Sequence, residues 1–184
     1  MRRFQKLLGI SAAFTAIALS APAARADQKF HIISPGFLWG ITKQLNDEPA
    51  WGALGAELTY AHIFEHNHRL VGVGAFAQVQ TVGFHHLRGA VGPQATYSIF
   101  GVEVGPYIEA GKDTYGTTIG FQASPFITLG VFSAAFRAAI PLTTTSAGDR
   151  YGVDLGAVFT LKLPFAPSEP LGYLPIAWMA LVER

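Results

Sequence analysis

The sequence contains no cysteine and few charged residues. Asp, Glu, Lys and Arg make up 14% of its 184 residues, whereas a soluble domain typically carries about 25%. Without cysteine no disulfide framework can hold a small core together, so the fold itself must supply the stability. The low charge argues against an ordinary cytosolic enzyme. No zinc, nucleotide or flavin motif is present, and we expect no cofactor.

The first 26 residues have the pattern of a secretory signal peptide. Arg2, Arg3 and Lys6 precede the apolar segment 7–19, and the segment 24–26, Ala-Arg-Ala, is a small-x-small cleavage site. Removing residues 1–26 takes away four of the 13 basic residues, which leaves nine against 12 acidic ones and a net charge of −3. This balance excludes a nucleic-acid footprint. No later run of about 18 apolar residues exists, so we expect no transmembrane helix.

From Phe30 to Phe165 apolar and polar residues alternate with a period of two, and helical periodicity is almost absent. An even number of strands favours an antiparallel meander closed into a barrel. The sequence therefore predicts an all-β fold, an eight-stranded antiparallel up-and-down transmembrane β-barrel over 27–165. A Pro-containing apolar tail, 166–184, is expected at the membrane surface or the barrel rim. The predicted strands lie near residues 30–41, 50–64, 70–82, 87–99, 102–110, 116–129, 132–142 and 150–164.

The numbering of the apolar positions locates two hairpin turns. A two-residue turn places residues i and i+3 on one face, so the apolar set must switch between odd and even numbers. It switches at Phe100-Gly101 and at Gly130-Val131, where glycine can supply the positive φ that a tight turn needs. Longer loops are predicted at the opposite end, which in outer-membrane barrels faces outward. They are expected at 42–49, 83–86, 111–115 and 143–149.

The composition of the two predicted faces distinguishes a membrane barrel from a soluble one. One face consists of glycine, alanine and a few charges, which suits the narrow interior of an eight-stranded barrel. The opposite face is apolar, for example along the second, third and eighth predicted strands, and is expected in lipid. Aromatic residues near the strand ends are interpreted as two interfacial girdles. The predicted girdle residues are Phe37, Trp39, Trp51 and Tyr151 toward the loops, and Tyr60, Phe64, Tyr97, Phe132 and Phe165 toward the turns.

These features resemble the small eight-stranded outer-membrane barrels of Gram-negative bacteria, of the OmpA transmembrane-domain and OmpX type. The resemblance covers residues 30–165 and is architectural. One local motif adds to it: residues 154–161, Asp-Leu-Gly-Ala-Val-Phe-Thr-Leu, look like the signal with which such barrels address the assembly machinery. In that family the signal usually closes the protein, whereas here 19 residues follow Phe165. This tail could instead form an additional strand, which would change the count of eight.

Seven charged residues fall on the predicted inward face. Buried charges must be paired, so we expect a salt-bridge network that fills the lumen with help from Gln78, Gln80, Gln94 and Gln122. The predicted network consists of Glu57, Arg88, Glu103, Glu109, Arg137, Asp154 and Lys162. The same residues could instead line a narrow pore for small solutes. Acid–base catalysis by two of the carboxylates would require substrate access that so narrow a lumen does not offer.

Five of the six histidines form two separate sets, at residues 62–68 and at His85-His86. No third ligand is fixed for a metal, so we interpret them as solvated histidines and predict no metal site. A lipid-modifying outer-membrane enzyme would need a serine and a histidine near each other on the lipid face. Ser98, Ser124 and Ser133 are predicted to point inward, so no catalytic residue is assigned.

The sequence thus predicts a protein of the cell outer membrane with a structural or interaction role in the envelope, and not an enzyme. A narrow pore and, less favoured, a lipid-modifying enzyme are the alternatives. Expected partners are outer-membrane lipid and lipopolysaccharide, and the barrel assembly machinery during insertion. We expect no nucleic acid as a partner and a monomeric state.

Overall fold

The computed structural model describes residues 30–45, 49–66, 69–112, 114–145 and 147–167. Each strand pairs antiparallel with its neighbours in sequence, and β1 also pairs with β8, which closes the barrel. The predicted eight-stranded up-and-down architecture is confirmed. The described residues include no helix long and apolar enough to cross a membrane. The strands are β1 Phe30–Gln44, β2 Trp51–His66, β3 Arg69–Val82, β4 His86–Tyr97, β5 Phe100–Glu109, β6 Thr118–Leu129, β7 Phe132–Thr144 and β8 Asp154–Lys162.

The alternation in sequence becomes an alternation of the two wall faces, because successive side chains of a strand point to opposite sides. On β3, Val79 is 51% exposed on the outer face, whereas its neighbour Gln80 is 2% exposed and points inward. Among the described residues the buried side chains are more often polar than apolar, and large apolar side chains cover the outside. The barrel therefore has the inverse of the usual distribution of a water-soluble domain.

One of the two predicted glycine turns is confirmed and the other is wrong. Leu129 pairs with Phe132, so the β6–β7 turn is Gly130-Val131, and Gly130 has φ 64°. Tyr97, however, pairs with Phe100, so the β4–β5 turn consists of residues 98–99. Shifting a turn by two residues leaves the odd and even positions on the same faces, so alternation could not distinguish the two placements.

Ser98 supplies the positive φ, 58°, at this turn. The sequence reasoning placed Ser98 inside the lumen, but it is exposed at the turn. Gly101 lies instead within β5, where the ring of Phe126 covers it. A Cβ at this position would come within 2.2 Å of that ring. Glycine at 101 therefore makes room for an aromatic side chain in the lumen.

The loops gather at the end of the barrel opposite to the turns. They connect β1 to β2, β3 to β4, β5 to β6 and β7 to β8. The second is a compact turn in which the amide of His85 donates to the carbonyl of Val82 at 3.0 Å. The predicted strand 150–164 is shorter at both ends, since β8 spans Asp154–Lys162. The predicted signal peptide and residues 168–184 of the predicted tail lie outside the described residues.

Candidate functional site in the barrel lumen

The seven charged residues of the predicted network all lie on the lumen side of the wall. The strand register places them at different heights along the barrel axis, because antiparallel pairing determines which residues of adjacent strands lie side by side. Arg88 is opposite Glu109 on adjacent strands, and Gln78 is opposite Glu57. All seven are shielded from solvent, and Lys162 is the most accessible of them, with a side chain that is 12% exposed. They form two ion clusters with one arginine between them.

The loop-end cluster is built around Arg88, which contacts two carboxylates. Its guanidinium donates to Oε2 of Glu109 from Nε at 3.1 Å and from Nη2 at 2.7 Å, and to Oδ2 of Asp154 from Nη2 at 2.5 Å. The hydroxyl of Thr42 donates to the other oxygen of Asp154, and Nε2 of His86 lies 2.5 Å from Oε1 of Glu109. The planar guanidinium suits this role because it carries several donors in a fixed arrangement. Strands β1, β4, β5 and β8 are thereby connected through the lumen.

The turn-end cluster consists of Lys162, Glu57 and Glu103. The ammonium Nζ of Lys162 lies 2.5 Å from Oε1 of Glu57 and 3.7 Å from Oε1 of Glu103. It also lies 5.4 Å from the centroid of the Phe126 ring, within the range of a cation–π contact. A single compact charge therefore holds two carboxylates from β2 and β5.

Arg137 differs from the sequence prediction in its partners. It was expected to share its charge with the inward carboxylates, but its guanidinium donates from Nη1 to Oε1 of Gln80 at 2.7 Å and from Nη2 to Oε1 of Gln78 at 2.5 Å. Among the described residues no carboxylate oxygen lies within 4.0 Å of it in an ion pair. Because Gln80 is opposite Arg88 and Gln78 is opposite Glu57, Arg137 bridges the heights of the two clusters.

Aromatic rings fill the space between these polar groups. Phe76 and Tyr107 are buried with Ala90 and Ala139 in the lumen, and the guanidinium carbon of Arg88 lies 5.2 Å from the centroid of the Tyr107 ring. Tyr107 lies over Gly120, where a Cβ would come within 2.4 Å of the ring. Separate cavities remain at the two ends, about 260 Å³ at the loops and 200 Å³ at the turns. Side chains occupy the lumen between them.

The nine predicted girdle residues occupy different places in the barrel wall. Five of the nine residues are exposed on the outer face: Phe37, Trp39, Tyr60, Tyr97 and Phe132. Of these, Phe37 lies at the midpoint of β1 rather than near its end. Phe64 and Phe165 are half-buried near the turns, and Phe165 forms an isolated bridge with Ile33.

Trp51 and Tyr151 do not belong to a girdle, because both face the loop-end cavity. Trp51 shares the odd numbering of the inward residues of β2, such as Glu57, and this parity was the available signal. Tyr151 precedes β8, so strand alternation does not apply to it. Its ring is 3% exposed and stacks on His86 and Tyr115.

Sequence reasoning also missed two members of the loop-end cluster. His86 was interpreted as a solvated loop histidine, yet its side chain is only 11% exposed. Its even number, shared with Arg88 on β4, could have placed it inside. Thr42 lay beyond the predicted end of the first strand, but β1 continues to Gln44.

The other serines and histidines whose side chains the structure describes lie in different parts of the barrel. Ser124 and Ser133 are buried on the inward side. His31 and Tyr60 share a 2.7 Å hydrogen bond near the turns, and the ring of His62 lies 4.7 Å from that of His31. Within the described ranges, no group of three or more His, Asp or Glu side chains is arranged to hold a metal ion.

No family model matches this chain, and no curated protein and no solved structure matches it significantly.

Proposed function

We propose that this protein is a small integral outer-membrane β-barrel with a closed polar lumen and a structural or interaction role in the cell envelope. The observation that carries the proposal is the inverted wall: large apolar side chains cover the outside, whereas ion pairs and amides occupy the inside. A closed barrel satisfies its backbone hydrogen bonds between strands, as a bilayer requires. In water such an outer surface would promote association, because it far exceeds the apolar patches of soluble monomers.

Two sequence features support an outer-membrane address. The segment 1–26 has the pattern of an export signal, and the motif that resembles an assembly signal, residues 154–161, coincides with β8. Asp154 at the start of that motif also accepts the hydrogen bond from Arg88. The same strand thus closes the barrel and contributes to the loop-end cluster.

Cell fractionation tests the address. The full chain, expressed in a Gram-negative host, is expected in the outer-membrane fraction of a density gradient, resistant to extraction with alkaline carbonate. The matched control lacks residues 1–26 and is expected to remain inside the cell. Recovery of the full chain as a soluble periplasmic protein would contradict the proposal.

Because side chains fill the lumen, we expect the barrel to be closed and not to conduct ions. Arg88, Arg137 and Tyr107 are all buried between the two end cavities, and eight strands leave an interior just wide enough for side chains. We therefore favour an envelope protein over a pore. The absence of a serine–histidine pair on the outer face among the described residues gives no support to a lipid-modifying enzyme.

Single-channel recording in planar bilayers tests the closed lumen. The wild-type protein is expected to conduct little or nothing, whereas the double variant R88A/R137A should show open events because it removes the two buried guanidinium groups. A matched outer-face variant, Leu87→Ala, should behave as the wild type. A stable open channel in the wild-type protein would make the pore alternative the leading one.

A further inference from the structure

The loop-end cavity differs from the rest of the interior in both shape and lining. It has a volume of about 260 Å³ and opens among the loops, above the loop-end cluster. Six side chains define what we call the vestibule: Trp51, His85, His86, Lys112, Tyr115 and Tyr151. They come from different strand ends and loops, so only the closed barrel brings them together.

Aromatic contacts build the walls of the vestibule. The ring of Tyr151 stacks on Tyr115 with 4.6 Å between centroids and on His86 with 4.8 Å. Its hydroxyl donates to the carbonyl of Ala110 at 3.0 Å. On the opposite side Trp51 meets His85 edge to face at 5.2 Å. These mutual contacts hold flat apolar surfaces in place before any ligand arrives, which lowers the entropic cost of binding.

Backbone conformation also fixes the position of Trp51. Gly83 has φ 60°, and a Cβ at this position would come within 2.5 Å of the Trp51 ring. Glycine is the residue that tolerates both the positive φ and this close approach. The turn 83–85 is therefore shaped to receive the indole ring.

Among the described residues that line the vestibule, Lys112 carries a positive charge. The ammonium of Lys112 lies 3.1 Å from Nδ1 of His85, and an ammonium has three donors, so this contact leaves two for another acceptor. No carboxylate is found among the described residues that line the cavity. Below the vestibule, Glu109 is fully buried, and its two oxygens are engaged by His86 and Arg88.

We propose that the vestibule binds a small organic anion that carries a flat ring, with an aromatic carboxylate as the chemical class. An apolar cavity of about 150 Å³ can hold benzene, so 260 Å³ accommodates one ring with a carboxylate. Lys112 attracts the carboxylate, and the indole ring of Trp51 contacts the flat face of the ligand. Because the loop-end cluster closes the floor, the ligand docks at the mouth and does not pass through.

Titration with matched probes tests the chemistry. Benzoate, benzamide and acetate are titrated separately into the refolded full barrel in detergent micelles, with binding followed by ligand-observed NMR and calorimetry. Benzoate is expected to bind saturably, with an affinity at least fivefold higher than that of its neutral analogue benzamide or of acetate, which lacks the ring. Equal binding of benzoate and benzamide, or no saturable binding of benzoate, would overturn the proposal.

Two lysine variants locate the binding site. Lys112→Gln should weaken benzoate binding by about fivefold, the effect of losing one partly exposed ion pair. Lys43→Gln is the matched control, because Lys43 is exposed on the outer face of β1, and it should bind as the wild type does. Trp51→Leu should weaken benzoate binding without affecting acetate. The heat-modified gel mobility of each variant verifies that it is folded, and unchanged benzoate affinity in folded K112Q would refute the site.

Discussion

The two faces of the barrel wall are made from the same strands but differ in how well they accommodate charged side chains. Inside, Arg88 is 1% exposed, yet it contacts the carboxylates of Glu109 and Asp154 directly. Outside, Leu58 and Val91 present only carbon to their surroundings. A charge on the inner face has partners supplied by strands across the lumen, whereas a charge at mid-height on the outer face, beside residues such as Leu58, would have none.

This difference shows that burial alone does not decide which residues the barrel accepts. An intact buried ion pair contributes little net stability, but removing one partner leaves an uncompensated buried charge and is strongly destabilising. On the outer face the cost of a charge depends instead on its depth in the hydrocarbon. The stability lost on substitution should therefore depend, on the inner face, on how many charges are left without a partner. On the outer face it should depend on the height of the residue along its strand.

Removal of Arg88 should have the largest effect. Arg88→Met leaves Glu109 and Asp154 without their shared cation, so we expect the free energy of unfolding to fall by about 3–5 kcal/mol. Urea titration of the refolded protein in lipid vesicles measures the change. The triple variant R88M/E109Q/D154N should recover part of the loss, because it removes the stranded charges as well. An R88M variant as stable as the wild type would contradict the inner-face argument.

An arginine on the outer face should show a depth-dependent effect. Leu58→Arg lies near mid-height, opposite Pro35 and Ala77, and should cost about 2–4 kcal/mol in a bilayer. Leu87→Arg is the matched control, since Leu87 is similarly exposed but lies at the loop end of β4. This variant should cost at most about 1 kcal/mol. Equal losses in vesicle unfolding titrations would argue against a bilayer around this wall.

Removal of Lys162 should cost less than removal of Arg88, although it also strands two carboxylates. Its side chain is 12% exposed beside the turn-end cavity, so water can solvate Glu57 and Glu103 in part. We expect Lys162→Met to lower the unfolding free energy by about 1.5–3 kcal/mol, the range for hydrogen bonds to charged groups. Lys162→Arg should retain most of the stability. A loss in K162M larger than that in R88M would reverse the predicted order of the two clusters.

Removal of Arg137 should have the smallest effect of the four. Its hydrogen-bond partners are the neutral amides of Gln78 and Gln80, so Arg137→Met strands two amide oxygens and no directly paired carboxylate. The expected cost is about 1–2 kcal/mol, measured by the same urea titration. A cost equal to that of R88M would show that the carboxylates depend on Arg137 through longer-range attraction.

Two errors of sequence reasoning occurred where alternation does not apply or fits two placements equally well, and a third occurred where alternation applied but was not used. The β4–β5 turn was misplaced by two residues because such a shift preserves the parity of every position. Tyr151 was assigned outward because strand alternation was extended into a loop. His86 was assigned to solvent although its parity matches that of Arg88. Each error concerned the position of a turn or the side of the wall on which a residue lies, whereas the number of strands was predicted correctly.

The sequence by itself determined the class of fold and the polarity of the two faces, because a period of two assigns each strand residue to one side of the wall. It also identified the seven inward charges. Only the tertiary structure decided their partners: Arg88 and Asp154 are 66 positions apart and meet across the lumen through the combined register of the closed barrel. The vestibule has the same origin, since its six residues are brought together by barrel closure and loop packing, and no local pattern encodes that meeting.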